Sequence, residues 1–294
     1  MLKTNEKKLV RIVVDGKVAP ALVYPNSVGH DGRVHNLPSL GGITLNVLIG
    51  DSAFGWAADH VEPAVSTLLN SEKRGDRPNT GYNFLACIGN EARVTSGAAK
   101  GARGVVTGRH GGCEHVIVDL PVAAMEKLCT EDRIQIRTCG QGLSLTGHPE
   151  VSVCSVDPAL LRRMGIKERG ERIEVPVAAV VPGKLMGSGI GQMQSKTGDY
   201  DLQTSDKKAL ARHGIDELKL GDIVAISDHD ASFGWRYLEG ACLIGVIAHG
   251  DSNLSGHGPG ITTILTCPTG KLIPKKSSNA NIGRLLKIGR FRKK

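Results

Sequence analysis

Aromatic residues are the scarcest material in this 294-residue chain: two Trp, four Tyr and four Phe, 3 % of the total. Its core must therefore rest on Val, Ile, Leu and Ala, and single-stranded nucleic acid would find few rings to stack on. No apolar run nears the 18–20 residues of a bilayer span, and the start MLKTNEKKLV has no apolar signal core. None of the seven cysteines (Cys87, Cys113, Cys129, Cys139, Cys154, Cys242, Cys267) forms a Cys-x-x-Cys pair. Their odd number and scatter argue against a disulfide framework or zinc ribbon and favour buried thiols in a reducing cytoplasm. Acidic residues are missing from 271–294, which carries nine Lys/Arg; the net charge of +8 belongs to this tail, and the remaining body carries −1. The expectation is a cytoplasmic protein whose basic C-terminus is solvated or packs between subunits of a homo-oligomer. Nucleic-acid contact through the tail is the less favoured reading, and no membrane contact is expected. The G-x-G-x-x-G, P-loop, H-E-x-x-H and G-x-S-x-G patterns are also absent, so no nucleotide cofactor is expected and a serine hydrolase is disfavoured.

What is abundant is glycine, 38 residues, spaced between short β-branched runs in the manner of tight turns joining strands. Leu9–Val14, Asp15-Gly16 and Lys17–Tyr24 read as a hairpin with a type I′ turn. Ile43–Ile49, Arg133–Thr138, Arg172–Val181, Ile223–Ile226 and Ala241–Ala248 read as strands, and Ser71–Gly81 as an exposed loop. Helices are few: Asp157-Pro158 opens one to about Met164, and Ser205–His213 suits another. Three short strands in EARVTSGAAKGARGVVTGRHGGCEHVIVDLP resemble the KOW-type segment of SH3-like barrels. The expected fold is mainly β and multidomain, of β-barrel/β-sandwich architecture, with a small SH3-like barrel and a few short helices. Its expected divisions are an N-terminal β segment (1–84), the small barrel (85–140), a C-terminal β domain (141–274) and the basic tail (275–294).

The stretch Gly221–Thr263 organises the candidate chemistry. Its two apolar runs empty into acid–histidine groups: Asp228, His229 and Asp230 after the first, His249, Asp251 and then His257 after the second. Polar groups delivered at strand ends on glycine-rich loops are how β-scaffolds build sites. A third group, Asp59-His60-x-Glu62, follows Phe54-Gly55-Trp56, and the same Phe-Gly-Trp recurs at Phe233-Gly234-Trp235. Asp, Glu and His together suit a divalent metal whose identity the sequence leaves open. The candidate ligands are Asp59, His60, Glu62, Asp228 and His229, with His249, Asp251 and His257 as candidate catalytic groups. The turn Gly187-Ser188-Gly189 offers backbone amides to a substrate anion. Asp199 and Asp201, two apart in an extended segment, face one side and could help to hold a substrate or a cation.

Four blocks, NVLIGDSAFGWAADHVEPAVS, GARGVVTGRHGGCEHVIVDLP, VPGKLMGSGIGQMQSKTGDYDLQT and GVIAHGDSNLSGHGPGITTILT, resemble a bacterial and archaeal family known as a domain of unknown function (number 4438). The resemblance spans most of the chain and implies a mainly β, multidomain fold with a small barrel; it brings no activity and no catalytic residues. The loop order also resembles that of the acetamidase/formamidase family of metal-associated amide hydrolases, which tilts the reaction class alone. Two functions stand in contrast. One is a metal-assisted hydrolase of a small amide or related polar substrate. The other is a binding protein, either RNA- or ribosome-associated through barrel and tail, or a ligand-binding or assembly protein without chemistry. On the enzyme reading, removal of 275–294 should leave activity intact unless the tail holds subunits together.

Overall fold

The computed structural model describes residues 2–70, 76–193 and 195–293. Six antiparallel strands close a barrel in the order Ile12–Val18, Arg133–Thr138, Glu91–Val94, Arg103–His110, His115–Asp119 and Ala64–Leu68. Lys17 opposite Leu68 and Val18 opposite Thr67 return the last strand to the first. With so few aromatics the interior is filled by small branched side chains, among them Val18, Val65, Val94, Val106, Val118, Ile134 and Ile136. The strands of 85–140 are thus four of the six, and Ile12–Val18 and Ala64–Leu68 complete the closure, so the 84/85 division falls inside the barrel.

A second sheet runs Ser152–Val153, Gly260–Cys267, Arg236–Ile247, Ile223–Asp230 and Ala179–Val181, with Tyr200–Asp201 also paired to Gly260–Cys267. A three-stranded sheet joins Lys167–Arg169, Arg172–Val177 and Leu272–Lys276. These last two sheets share a continuous core that includes Val175, Ile226, Ile244, Leu265 and Trp235. The barrel meets the second sheet where the Arg109 amide donates to Thr262 Oγ1 at 3.0 Å. A Cβ on Gly108 would lie 2.6 Å from that of Ala248, so only glycine lets the two strands approach this closely. This seam positions the candidate site. Among the described residues, no helix is long and apolar enough to cross a membrane.

Several local expectations are corrected. Asp15-Gly16 is not a turn: Ile12–Val18 runs straight through it. The glycine is needed because a Cβ there would meet the Tyr82 ring at 2.5 Å. Of the expected loop Ser71–Gly81, residues 71–75 lie outside the described residues. A helix, Arg77–Leu85, begins at the rest, with proline in its first turn and Asn79, Tyr82 and Asn83 buried. Only Ile43–Thr44 of Ile43–Ile49 is strand, and Arg172–Val181 divides at Ala178 between two sheets. The helices Pro158–Arg163 and Lys207–His213 form as read, capped by the Asp157 and Asp206 carboxylates.

The C-terminus is part of the fold. Leu272–Lys276 is a parallel partner of Arg172–Val177, and Ile282 and Ile288 are buried in the larger core. Arg290 forks onto the Asp51 carboxylate at 2.7 and 2.8 Å, and Arg292 pairs with buried Asp119. Removing 275–294 therefore strips core as well as charge. Burial pushes the Asp119 carboxyl up to about 6 against the pull of Arg292 and the Gly289 amide. Because the folded-state value lies above the usual carboxylate value, the stability tied to this group falls as pH rises through 6. Arg292→Ala removes the opposing charge and should raise the folded value further. Its destabilisation should be small at pH 5 and grow above pH 6 to about 2 kcal/mol, less than a fully buried pair because Arg292 is one-third exposed. Urea unfolding of both proteins across pH 5–8 measures this; a pH-independent difference would contradict it.

Candidate metal centre

At the seam, the strand end at His110, the bend carrying Asp59-His60-x-Glu62, the segment Asp199–Asp201 and the loop from His249 to His257 converge. They surround a cleft of about 270 Å³ lined by His60, His110, Asp199, Asp201 and His257, with Gly111, Gly112, Cys113, Ser188, Gly189 and Gln192 among its walls. The His110 and His249 rings stack 3.9 Å apart. The His60 ring lies 5.5 Å from that of His110, 5.4 Å from that of His249 and 5.1 Å from that of His257. Two groups have their ligand atoms within 4.8 Å of one another: His60, Asp201 and His257, and His110, Asp199 and His249. Each offers two imidazoles and one carboxylate, a donor set that holds divalent metals and leaves open coordination positions.

The imidazoles are held in fixed orientations. His60 Nδ1 donates to Asp59 Oδ2 at 2.9 Å, His110 Nδ1 to Glu62 Oε1 at 2.6 Å, and His249 Nδ1 to the Gly250 carbonyl at 2.9 Å. That leaves Nε2 of each ring as the atom an ion would take, with His60 Nε2 now 3.2 Å from His257 Nδ1 and His249 Nε2 2.7 Å from Asp199 Oδ2, the arrangement by which outer partners orient metal-binding histidines. His257 turns Nδ1 toward Asp201 Oδ2 at 3.0 Å. Asp59 is itself pinned, its Oδ1 accepting from Ser252 Oγ at 2.8 Å and the Asn253 amide at 2.9 Å. Burial works to raise the Asp59 carboxyl, but His60 and these donors outweigh it and hold it at about 2. His60 has a φ of +54°, a left-handed conformation that non-glycine residues rarely adopt. Its amide bond to the Asp251 carbonyl, 2.9 Å, holds the backbone there.

Asp199 accepts from the Gly111 amide at 2.8 Å and meets His249 Nε2 at 2.7 Å. Burial opposes charge on both partners, yet each favours the charged form of the other, so the Asp199 carboxyl is lowered and the His249 imidazole raised. Gly260 passes so close that a Cβ would sit 2.0 Å from Asp199 Oδ2 and 2.1 Å from His249 Nε2. Behind His110, buried Glu62 takes His115 Nδ1 at 2.9 and 3.0 Å, the Gly41 amide at 2.8 Å and the Ser66 hydroxyl. Burial would raise its carboxyl, but His115 and His110 hold it well below the usual range. Glu62, Cys113 and His115 also lie within ligating distance of one another. Glu62 and His115 lie wholly buried behind His110, outside the cleft wall, and we read that group as support for His110.

The sequence-derived candidates separate cleanly. His60, Asp199, Asp201, His249 and His257 come together, with Asp59 and Glu62 one layer behind. The Gly187–Gly189 turn lies beside them, Ser188 and Gly189 in the wall. Asp228 and His229 do not join. Asp228 accepts from the Gly240 amide, and His229 Nε2 meets the Tyr200 hydroxyl at 2.8 Å, on the face of that strand opposite Asp199 and Asp201. The Asp251 carboxyl is engaged with the Gly55 backbone. Neither tryptophan lines the cleft: Trp235 stacks on Tyr200, and Trp56 donates to the Ser52 carbonyl. His110, His115 and Cys113 are the functional neighbours that sequence reading passed over. The spacing H-G-G-C-E-H at 110–115 was the available signal, read there as a barrel turn.

Glu62→Ala should unfold the apo-protein more easily by about 3 kcal/mol, because it leaves several buried donors without an acceptor. Urea titration in the presence of chelator measures this, and a change below about 1 kcal/mol would contradict the arrangement.

The sequence matches the family described as Domain of unknown function (DUF4438), N-terminal, over residues 26–162, and Domain of unknown function (DUF4438), C-terminal, over residues 163–286. A solved structure described as the crystal structure of TM1086 is 47 % identical; the match covers 96 % of this chain and 98 % of that one, with a TM-score of 0.90. No curated protein matches the chain. These matches do not show the acetamidase/formamidase likeness.

Proposed function

We propose, for a chain that belongs to the DUF4438 family, that the cleft is the centre of a metal-dependent hydrolase acting on a small, uncharged polar group such as a carboxamide. One observation carries this reading. Four imidazoles and two carboxylates from distant parts of the chain gather at one small space, and three of the rings are held at Nδ1 by outer partners, which leaves Nε2 of each as the atom an ion would bind. Buried histidines serving only to fill a core need no such orientation. His60, Asp201 and His257, or His110, Asp199 and His249, would hold a divalent ion with room left for water and substrate, and such an ion would supply activation of that water and polarisation of a carbonyl. Hydrolysis of a carboxamide would join the water oxygen to the carbonyl carbon, break the carbon–nitrogen bond and pass the water's proton to the leaving nitrogen. His249 serves in this reading as a ligand rather than a general base.

The walls support the substrate class. No lysine or arginine is among the described residues lining the cleft, whereas Ser188, Gln192 and the glycine backbones of 111, 112 and 189 supply neutral hydrogen-bonding groups. The tail offers less free charge for a nucleic acid than its sequence suggests, since Lys271, Lys275, Arg290 and Arg292 face acids of the body.

The test is elemental analysis of untagged protein, with melting before and after chelation and an amide-substrate screen. A bound zinc, iron or manganese is expected. Its removal should lower the melting temperature by roughly 5–10 °C if the ion saturates its site about a hundredfold. His249→Ala should lose hydrolysis and the ion held with His110 and Asp199 while keeping its β-rich circular dichroism. A metal-free protein whose melt ignores both chelator and added divalent ions would overturn the proposal.

A further inference from the structure

The two His/His/Asp groups are not independent. We propose that the cleft holds two divalent ions bridged by the Asp201 carboxylate, an inference that rests on the metal reading above. Asp201 Oδ2 faces one group, 3.0 Å from His257 Nδ1 and 3.9 Å from His60 Nε2. Its Oδ1 faces the other, 3.9 Å from His249 Nε2. A carboxylate turned this way, one oxygen to each group, is the geometry that holds two ions about 3.5–4 Å apart in two-metal sites. The remaining ligands divide two and three: His60 and His257 on one side, His110, His249 and Asp199 on the other.

Acid is concentrated at this one place as well: Asp59, Glu62, Asp199 and Asp201 are each no more than 8 % exposed, Asp199 and Asp201 in the cleft wall and Asp59 and Glu62 behind it. The backbone fixes the bridge in place. The Asp201 amide donates to the Ser188 carbonyl at 2.9 Å and the Gly187 amide to the Asp201 carbonyl at 2.8 Å, while the strand pairs with Gly260–Ile261 on its other edge. Tyr200 points the opposite way, anchored by His229 and stacked on Trp235, so the carboxylates on either side of it must face the cleft together.

The experiment loads chelator-stripped wild-type protein with Mn²⁺ or Zn²⁺, removes free ion on a desalting column and counts ions per chain. Spin resonance of the Mn²⁺ form reports whether the ions are neighbours. Two equivalents and an exchange-coupled manganese signal are expected. His257→Ala and His110→Ala should each retain one equivalent and give the uncoupled six-line signal. Asp201→Asn, which keeps the side chain's size, should bind the second equivalent at least tenfold more weakly. One equivalent in the wild type, or two without coupling, would overturn the bridge while leaving a single-metal hydrolase standing. No bound ion would overturn both. The wild-type count and signal decide the matter even if a variant fails to fold.

Discussion

Four carboxylates lie almost wholly out of water at the seam between the barrel and the second sheet, and an isolated carboxylate there would cost several kcal/mol. The rest of the structure is arranged around that cost. Glu62 is surrounded by two imidazoles, an amide and a hydroxyl; Asp59 by an imidazole, a hydroxyl and an amide; Asp199 by an imidazole and an amide. His60 and Ser66 are local partners, but Ser252 and Asn253 reach Asp59 and Gly111 reaches Asp199 from the other half of the chain, so the site exists only when both halves have docked. Glycines at 108 and 260 set how closely they dock, the first by letting two strands touch and the second by leaving room for the Asp199–His249 contact.

The division of labour follows. The barrel supplies rigidity through small β-branched side chains and carries His110, Glu62 and His115 on strands and bends fixed by its closure. The second sheet supplies His249 at a strand end and holds the Asp199–Asp201 segment along Gly260–Ile261. Loops bring His60 and His257, the latter the most open of the four histidines. The cleft is thus built half on strands and half on loops, with three histidines buried and one on an open side.

Much of this was legible in the sequence. The mainly β class followed from glycine spacing and β-branched runs, and the acid–histidine groups at 59–62 and 249–257 were visible as unusual concentrations in loops. Asp199 and Asp201 were placed on one face by the period of an extended chain alone. Partner choice was not legible. Whether Asp15-Gly16 turns or runs straight depends on the Tyr82 ring across the barrel. Whether Asp228-His229 joins the cluster depends on which face of a neighbouring strand it meets. It meets Tyr200, the residue between Asp199 and Asp201, on the side away from the cleft. His110 and His115 were hidden because a histidine in a glycine-rich barrel turn carries no local mark of what it faces.

The most direct test of the metal centre is anomalous diffraction from crystals grown with Mn²⁺, with data on both sides of the manganese absorption edge. The account predicts two anomalous peaks in the cleft, one among His60, Asp201 and His257 and one among His110, Asp199 and His249, about 3.5–4 Å apart. A cleft without anomalous density, in crystals where manganese is bound elsewhere, would contradict it.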